Sequence, residues 1–301
     1  MSAKHLFGIQ FRPKFSITAD LDSKYVLDAI KTYFNCGKVS INLKNHSSEF
    51  LVEKLEDLKT VIIPHFISSP VFCAKLHAFN LFKEIVIALI NKQKRTIEGR
   101  RELLKMALSM NKTNNRTIDR IDLLFALLGI TDNKDKNLII YNNTQNSTDF
   151  SLTPEFISGV IDGDGSFFIS FHKDGKIKTG FSVTTDNESR ALLESLQSEL
   201  KNIGTINEGS KNELIYTVTG LNQITEVLIP FMNKWPLFSE RSSHFSKFET
   251  VSLILKKEQN LSLETKLDIV ELCYNMNKKG KRRNLSKTQY IDLLKKLYIQ
   301  N

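Results

Sequence analysis

Cysteine is scarce: only Cys36, Cys73 and Cys273 occur in 301 residues. An odd number so widely spaced builds neither a disulfide framework nor a zinc ligand set, which points to a reducing compartment. No apolar run approaches the roughly 18 residues of a membrane span; the longest candidate, 79–90, is interrupted by Asn80, Lys83 and Glu84. The opening MSAKHLFGIQFRPK has no apolar core of a secretion signal and no Arg/Ser-rich transit helix. The six histidines (His5, His46, His65, His77, His172 and His244) show no metal-ligand clustering, and no GxSxG, Walker A or GxGxxG segment occurs. These absences argue against a secreted, disulfide-stapled or membrane protein. What is present is a globular composition, 41% hydrophobic and 25% charged, with 42 Lys plus Arg against 33 Asp plus Glu. The resulting net charge of +9 favours a polyanionic partner, nucleic acid or an anionic surface.

The chain repeats itself at an offset of 166 residues. Phe15-Ser16-Ile17-Thr18 falls on Phe181-Ser182-Val183-Thr184, Asp20 on Asp186, and Leu27 on Leu193. Farther on, Ile63-Pro64 meets Ile229-Pro230, Pro70 meets Pro236, and Met110-Asn111-Lys112 meets Met276-Asn277-Lys278. A constant offset over so long a stretch indicates duplication. Each half reads as strands and helices in the same order. In the second half, SFFISFH (166–172) and KTGFSVTT (178–185) are strands around a Lys173-Asp174-Gly175 hairpin. A helix carrying Leu192, Leu193, Leu196 and Leu200 follows, then the strands GTIN and ELIYTVT and helices near 221–232, 243–257 and 264–275. Residues 129–150 are polar, Asn-rich and aperiodic and read as a linker between repeats at 1–128 and 151–301. The expected fold is α+β: two tandem units forming a pseudo-dimer with two antiparallel four-stranded sheets, helices covering one face of each.

The most unusual segment is LTPEFISGVIDGDGSFFISF (152–171). Thr153-Pro154-Glu155 starts a helix, with Thr as N-cap, Pro in the first turn and an early acid. Asp162 and Asp164 then sit at its C-terminus, against the helix dipole. An EF-hand loop from Asp162 fails, because Phe167 stands where Gly is needed and Lys173 where Glu is needed. A surface turn remains open, and so does an acidic metal ligand delivered at the end of a tightly packed helix on which Ser158 and Gly159 permit close approach.

Residues 157–165, ISGVIDGDG, resemble the LAGLIDADG motif of homing endonucleases and related intron maturases. The flanking order matches too: Gly-Ser-Phe into a hairpin, FSVTTDNE, LLESLQ, VTG, IPFMNKWPL and a closing basic NMNKKGKRR. The resemblance covers nearly the whole chain. It implies paired αββαββα units, motif helices packed on each other through Ser158 and Gly159, and sheets saddled on double-stranded DNA at a long asymmetric site. It also implies that Asp164, with Gly165, binds an essential Mg²⁺, that Lys234 is the basic residue near the reacting phosphate, and that Asp162 supports structure. Strand parity then places Phe168, Ser170, His172, Lys178, Ser182, Thr184, Thr205, Asn207 and Thr217 on the DNA-facing side. Lys173, Lys176, Arg282 and Arg283 suit phosphate contacts.

The offset maps Asp164 two positions ahead of Met1 and Lys234 onto Ser68, so the first half is expected to lack its motif helix and its lysine. An upstream-extended product, a decaying gene, or a protein retaining only nucleic-acid binding would each account for this. Either a monomer with internal pseudo-symmetry or a homodimer through the unpaired motif helix is expected. The function implied is a site-specific, intron-encoded, metal-dependent DNA endonuclease. The alternatives are an intron maturase that binds intron RNA and a catalytically inactive DNA-binding module. Asn-, Lys-, Ile- and Phe-rich usage favours an organelle-encoded protein, in a mitochondrion or else a plastid.

Overall fold

The alternating segments FSITAD and SSEFLV become β1 (Phe15–Asp20) and β3 (Ser47–Val52), paired antiparallel from Phe15 opposite Val52 to Asp20 opposite Ser47. β2 (Lys38–Asn42) flanks β3 on its other side, giving the order β1-β3-β2. The computed structural model describes residues 9–72, 74–110, 118–129, 152–210, 212–276 and 283–299. It divides into two compact units, 1–147 and 148–301.

In the first unit α1 (Lys24–Phe34) crosses the sheet. A continuous helical stretch follows β3, made of α2 (Leu55–Asp57), a π turn (Leu58–Ile62) and α3 (Ile63–Ser68). Three longer helices follow among the described residues of the unit, α4 (Ala74–Ile90), α5 (Ile97–Met110) and α6 (Ile118–Leu127). Because side chains alternate along a strand, Phe50 and Val52 are buried with Leu27, Leu58, Ile62 and Val86, while Ser16, Thr18 and Asp20 are exposed on the opposite face.

The second unit opens with α7 (Pro154–Asp164), which runs directly into β4 (Gly165–Phe171) and, through the hairpin, β5 (Ile177–Asp186). α8 (Arg190–Glu199), β6 (Thr205–Glu208) and β7 (Glu213–Val218) follow. Then come α9 (Leu221–Gln223), a π turn (Ile224–Leu228), α10 (Ile229–Lys234), α11 (Arg241–Lys257), α12 (Leu263–Cys273) and α13 (Lys287–Ile299). The sheet order is β4-β5-β7-β6. No described helix is long and apolar enough to cross a membrane.

The repeat extends to backbone detail. Phe181 opposes Val218 as Phe15 opposes Val52. The Leu21 N–H bonds the His46 carbonyl at 3.0 Å and the Asn187 N–H bonds that of Asn212 at 3.3 Å, the acceptors both being left-handed (φ +50° and +56°). The offset slips by one at β6, since Lys38 pairs with Leu51 but Thr205 with Thr217. The turn before β6 absorbs the extra residue with two left-handed residues, Lys201 and Asn202, where the first unit has Asn35. One expectation is corrected: among the described residues the first sheet has three strands, not four. The positions that the offset assigns to counterparts of α7 and β4 fall ahead of Ile9, the first described residue.

His244, one turn into α11, gives a pH dependence. Burial holds its pKa below the ordinary value, and the positive charges of Lys247 and Arg241 act in the same direction against the opposing pull of Glu240. Burial lowers His65 likewise. A depressed folded pKa means that the unfolded chain takes up the proton first, so stability is full above about pH 6.5 and is lost as pH falls through that value. The melting temperature should therefore be lower at pH 5 than at pH 7, and His244→Gln should remove part of that drop. An unchanged slope would show that His244 makes no contribution.

Candidate active site

α7 begins as its sequence dictates. The Thr153 hydroxyl accepts the Phe156 N–H at 3.3 Å, Pro154 occupies the first turn, and Glu155 places an acid at the positive end of the dipole. Ile157, Ser158 and Ile161 are buried, whereas Gly159, Gly163 and Asp164 are exposed. A Cβ added at Gly159 or Gly163 would meet nothing within 4 Å. At Gly165 it would lie 2.4 Å from the Ile161 carbonyl oxygen, so only glycine lets the strand leave the helix this closely. The Gly165 N–H closes the last turn on that same oxygen.

Residues 235–241 run along α7 and are fastened to it at three levels. The Ser158 hydroxyl lies 3.0 Å from the Trp235 carbonyl and 3.1 Å from that of Pro236, to which it donates. The Asp162 carboxylate accepts the N–H groups of Phe238 at 3.1 Å and Ser239 at 3.0 Å, and the Ser239 hydroxyl at 2.5 Å. Arg241 donates from Nε to the Asp162 carbonyl at 2.6 Å, from Nη2 to that of Gly163 at 2.6 Å, and from Nη1 to that of Gly165. The last carbonyls of a helix have no partner within it, and a guanidinium there satisfies them while complementing the dipole. This explains how the helix tolerates two acids at its negative end.

Asp162 is therefore structural. Asp164, the last helical residue, has an exposed carboxylate with no hydrogen-bond or ion-pair partner among the described residues. Lys234 ends α10 exposed, its Nζ 5.2 Å from the centre of the Trp235 ring, and the peptide next to it is pinned to α7 through Ser158. Two assignments are corrected here. Ser158 faces its own unit, because its hydroxyl is committed to two carbonyls; only Gly159 lies on the open face. Gly165 is a poor cation ligand, because its carbonyl already accepts from a cation, Arg241.

The outward face of the sheet is polar and ordered in rows. Ser166, Ser182, Thr217 and Thr205 form one row across four strands, and Thr184, Ile215 and Asn207 form the next. Ser170 opposes Lys178, and Phe168 opposes Gly180. A Cβ at Gly180 would lie 2.3 Å from the Phe168 ring, which therefore rests directly on the glycine. His172, Lys173 and Lys176 are exposed at the hairpin. They lie about 23 Å of extended strand from Asp164 and are not part of its site. The Lys176 Nζ pairs with Asp174 at 3.0 Å, and the backbone and side-chain N–H groups of Lys176 hold the Asp174 carboxyl below its usual range.

Arg282 lies outside the described residues. Arg283 is corrected from phosphate contact to packing. Its guanidinium stacks 4.4 Å from the Phe171 ring centre and 4.5 Å from that of Tyr274, and it donates to the carbonyls of Tyr274 and Ile169. No group of three or more His, Cys, Asp or Glu residues that could hold a metal occurs among the described residues. A cation at Asp164 would thus need water and phosphate oxygens to complete its shell, which is how Mg²⁺ is commonly held.

The pattern shared by LAGLIDADG endonucleases matches residues 1–86 and 157–252, one stretch in each half. The chain belongs to the LAGLIDADG endonuclease family. Similar proteins include the probable intron-encoded endonuclease 2 of Neurospora crassa, 25% identical over 89% of this chain. Another is the probable intron-encoded DNA endonuclease 1 of Mycosarcoma maydis, 25% identical over 73% of this chain and 80% of that protein. This chain spans 59% of the length of the Neurospora protein. Among solved structures, the meganuclease I-SmaMI bound to uncleavable DNA superposes with a TM-score of 0.80 and 24% identity, over 92% of this chain and 90% of that one. That likeness establishes the LAGLIDADG fold. Within this fold, the residue that sequence reasoning missed is Arg241, since a clamp on backbone carbonyls leaves no spacing signature.

Proposed function

We propose that this chain is a site-specific, intron-encoded DNA endonuclease that hydrolyses phosphodiester bonds with a divalent cation held at Asp164. The observation that carries this reading is the Asp164 carboxylate, exposed and unpartnered among the described residues, at the end of a motif helix whose neighbouring acid is wholly used for structure. Hard carboxylate oxygen suits Mg²⁺. When bound, Mg²⁺ supplies a water acidic enough to act as nucleophile near neutral pH and stabilises charge on the phosphate. Asp164 holds the cation, and Lys234, fixed at the same helix through Trp235, offers positive charge to the phosphate. The polar outward rows of the sheet suit base-edge contacts in the major groove of double-stranded DNA. The names of the fungal relatives and the DNA present with I-SmaMI support the same substrate. The composition supports an organelle genome, with the mitochondrion preferred.

The test is incubation with the host gene's intron-insertion site, joined across the missing intron, in the presence and absence of Mg²⁺. Metal-dependent cutting or nicking of this duplex is expected. If the protein does not cut but binds folded intron RNA in preference to the duplex, it is a maturase. If it binds the duplex tightly without cutting, it is a DNA-binding module.

A further inference from the structure

The β4–β5 hairpin outruns its sheet. β7 pairs with β5 only from Phe181 to Asp186. Residues Phe168–Phe171 and Ile177–Gly180 therefore form a two-stranded ribbon with no third strand among the described residues. Such a ribbon is marginally stable by itself in water, so its direction depends on what else holds it. On the inward side Ile169 and Ile177 are buried with Ile269 and Cys273 of α12. The Phe171 ring lies 5.0 Å from that of Tyr274 and 5.3 Å from that of Tyr290 on α13. At the tip the Tyr290 hydroxyl donates to the His172 carbonyl at 3.1 Å, the same oxygen that takes the Gly175 N–H to close the turn. A Cβ added at Gly175 (φ +77°) would lie 3.2 Å from Leu297 and 3.4 Å from Leu294, so α13 rests on the turn itself. Along the edge of β4, Arg283 donates to the Ile169 carbonyl at 3.3 Å and to that of Tyr274 at 2.5 Å. The first unit repeats the arrangement. Ile9, which the 166-residue offset assigns to Gly175, is buried with Phe125 and Leu128 at the end of α6, and Arg100 donates to its carbonyl at 2.8 Å. α6 and α13 also share the sequence Ile-Asp-Leu-Leu, at 121–124 and 291–294.

We infer that Tyr290 and Arg283 are positioning residues for DNA recognition: they fix the direction in which the β4–β5 ribbon meets the duplex, and so set base preference where the ribbon lies. This rests on the proposed reading of the outward sheet face as the DNA surface. Neither residue needs to touch DNA, since Tyr290 is 2% exposed and Arg283 gives its donors to backbone carbonyls. Base readout requires donors and acceptors within hydrogen-bond reach of a base edge. A tilt of the ribbon at its root moves Ser170 and Lys178 out of that reach. It leaves Ser182 and Thr217 in place, because β5 and β7 pair there.

The test is metal-free binding to the intron-insertion duplex and to a set of duplexes each changed at one base pair. The full chain is compared with Tyr290→Phe, Arg283→Met and Lys178→Ala. Lys178→Ala marks the base pairs that the ribbon meets. Tyr290→Phe keeps the ring and removes one hydroxyl. It is expected to lower discrimination at those base pairs about fivefold, the low end of what one good base contact confers, and Arg283→Met should lower it further. Discrimination elsewhere in the site should stay at the wild-type level. Amide exchange over 169–180 should quicken in both variants while β7 and α8 keep their protection. Tyr290→Phe decides the matter if Arg283→Met does not fold. Wild-type discrimination at every base pair in Tyr290→Phe, or an even loss of affinity across the whole site, overturns the positioning role. A Lys178→Ala variant that changes discrimination nowhere, beside a wild-type chain that binds tightly, overturns that role alone, because the ribbon then reads no base. A wild-type chain that does not bind the duplex overturns the reading of the sheet face as well.

Discussion

Replacing Asp164 with Asn is expected to lower cleavage of the intron-insertion duplex by roughly 10³-fold or more. A bound cation contributes several kcal/mol of transition-state stabilisation, and about 4 kcal/mol corresponds to roughly 10³ in rate. Asparagine keeps the shape of the side chain and removes only its charge. Asp164 is exposed and makes no contact among the described residues, so neither packing nor hydrogen bonding should suffer. Stability should move the other way: removing an acid from a helix C-terminus is worth about 0.3–1 kcal/mol, so the melting temperature should rise slightly. Binding of the duplex without metal should be unchanged. Asp162→Asn gives the contrasting result, because that carboxylate accepts from Phe238 and Ser239. It should cost stability first and activity only through the displaced loop. If Asp164→Asn cuts at the wild-type rate in Mg²⁺, Asp164 is not the cation ligand.

The contrast between these two acids shows what was legible in the sequence. Their position at the end of an apolar helix is readable, and so is the start of that helix, because Thr153, Pro154 and Glu155 are local signals. The 166-residue repeat predicts the same order of strands and helices in both halves, and alternation within FFISF correctly places Phe167 and Ile169 inward. What was not legible depends on partners far along the chain. Ser158 and Gly159 look alike as small residues on a helix, and only the carbonyls of Trp235 and Pro236 separate them. Arg282 and Arg283 are equivalent members of a basic run until Phase of burial is known, and Phe171 and Tyr274 draw Arg283 inward. Arg241 follows a loop with no periodicity, and its acceptors are backbone atoms common to every residue type. The one-residue slip at β6 was hidden because the hydrophobic pattern returns to register in β7.

Phe167→Ala should destabilise the second unit by about 3–5 kcal/mol, the usual cost of deleting a buried aromatic ring, whereas the adjacent Phe168→Ala should cost about 1 kcal/mol. Phe167 is 1% exposed, and its ring centre lies 5.0 Å from Phe181, 5.3 Å from Phe245 and 5.2 Å from Phe248. Those rings join β4, β5 and α11, so the cavity would open beneath the helix that carries Arg241. Phe168 points to the other side and lies over Gly180, half-buried. Truncating it forfeits only part of the 1.5–3 kcal/mol that full burial of such a side chain provides, about half. Its loss should appear instead in affinity for the duplex, since it forms an apolar surface beside Ser170, Lys178 and Ser182 on the outward face. Denaturant unfolding and duplex binding of the two variants therefore form a paired measurement on neighbouring residues of identical chemistry. Equal stability losses would mean that both rings are core, and the outward rows of this sheet would lose their claim to face DNA.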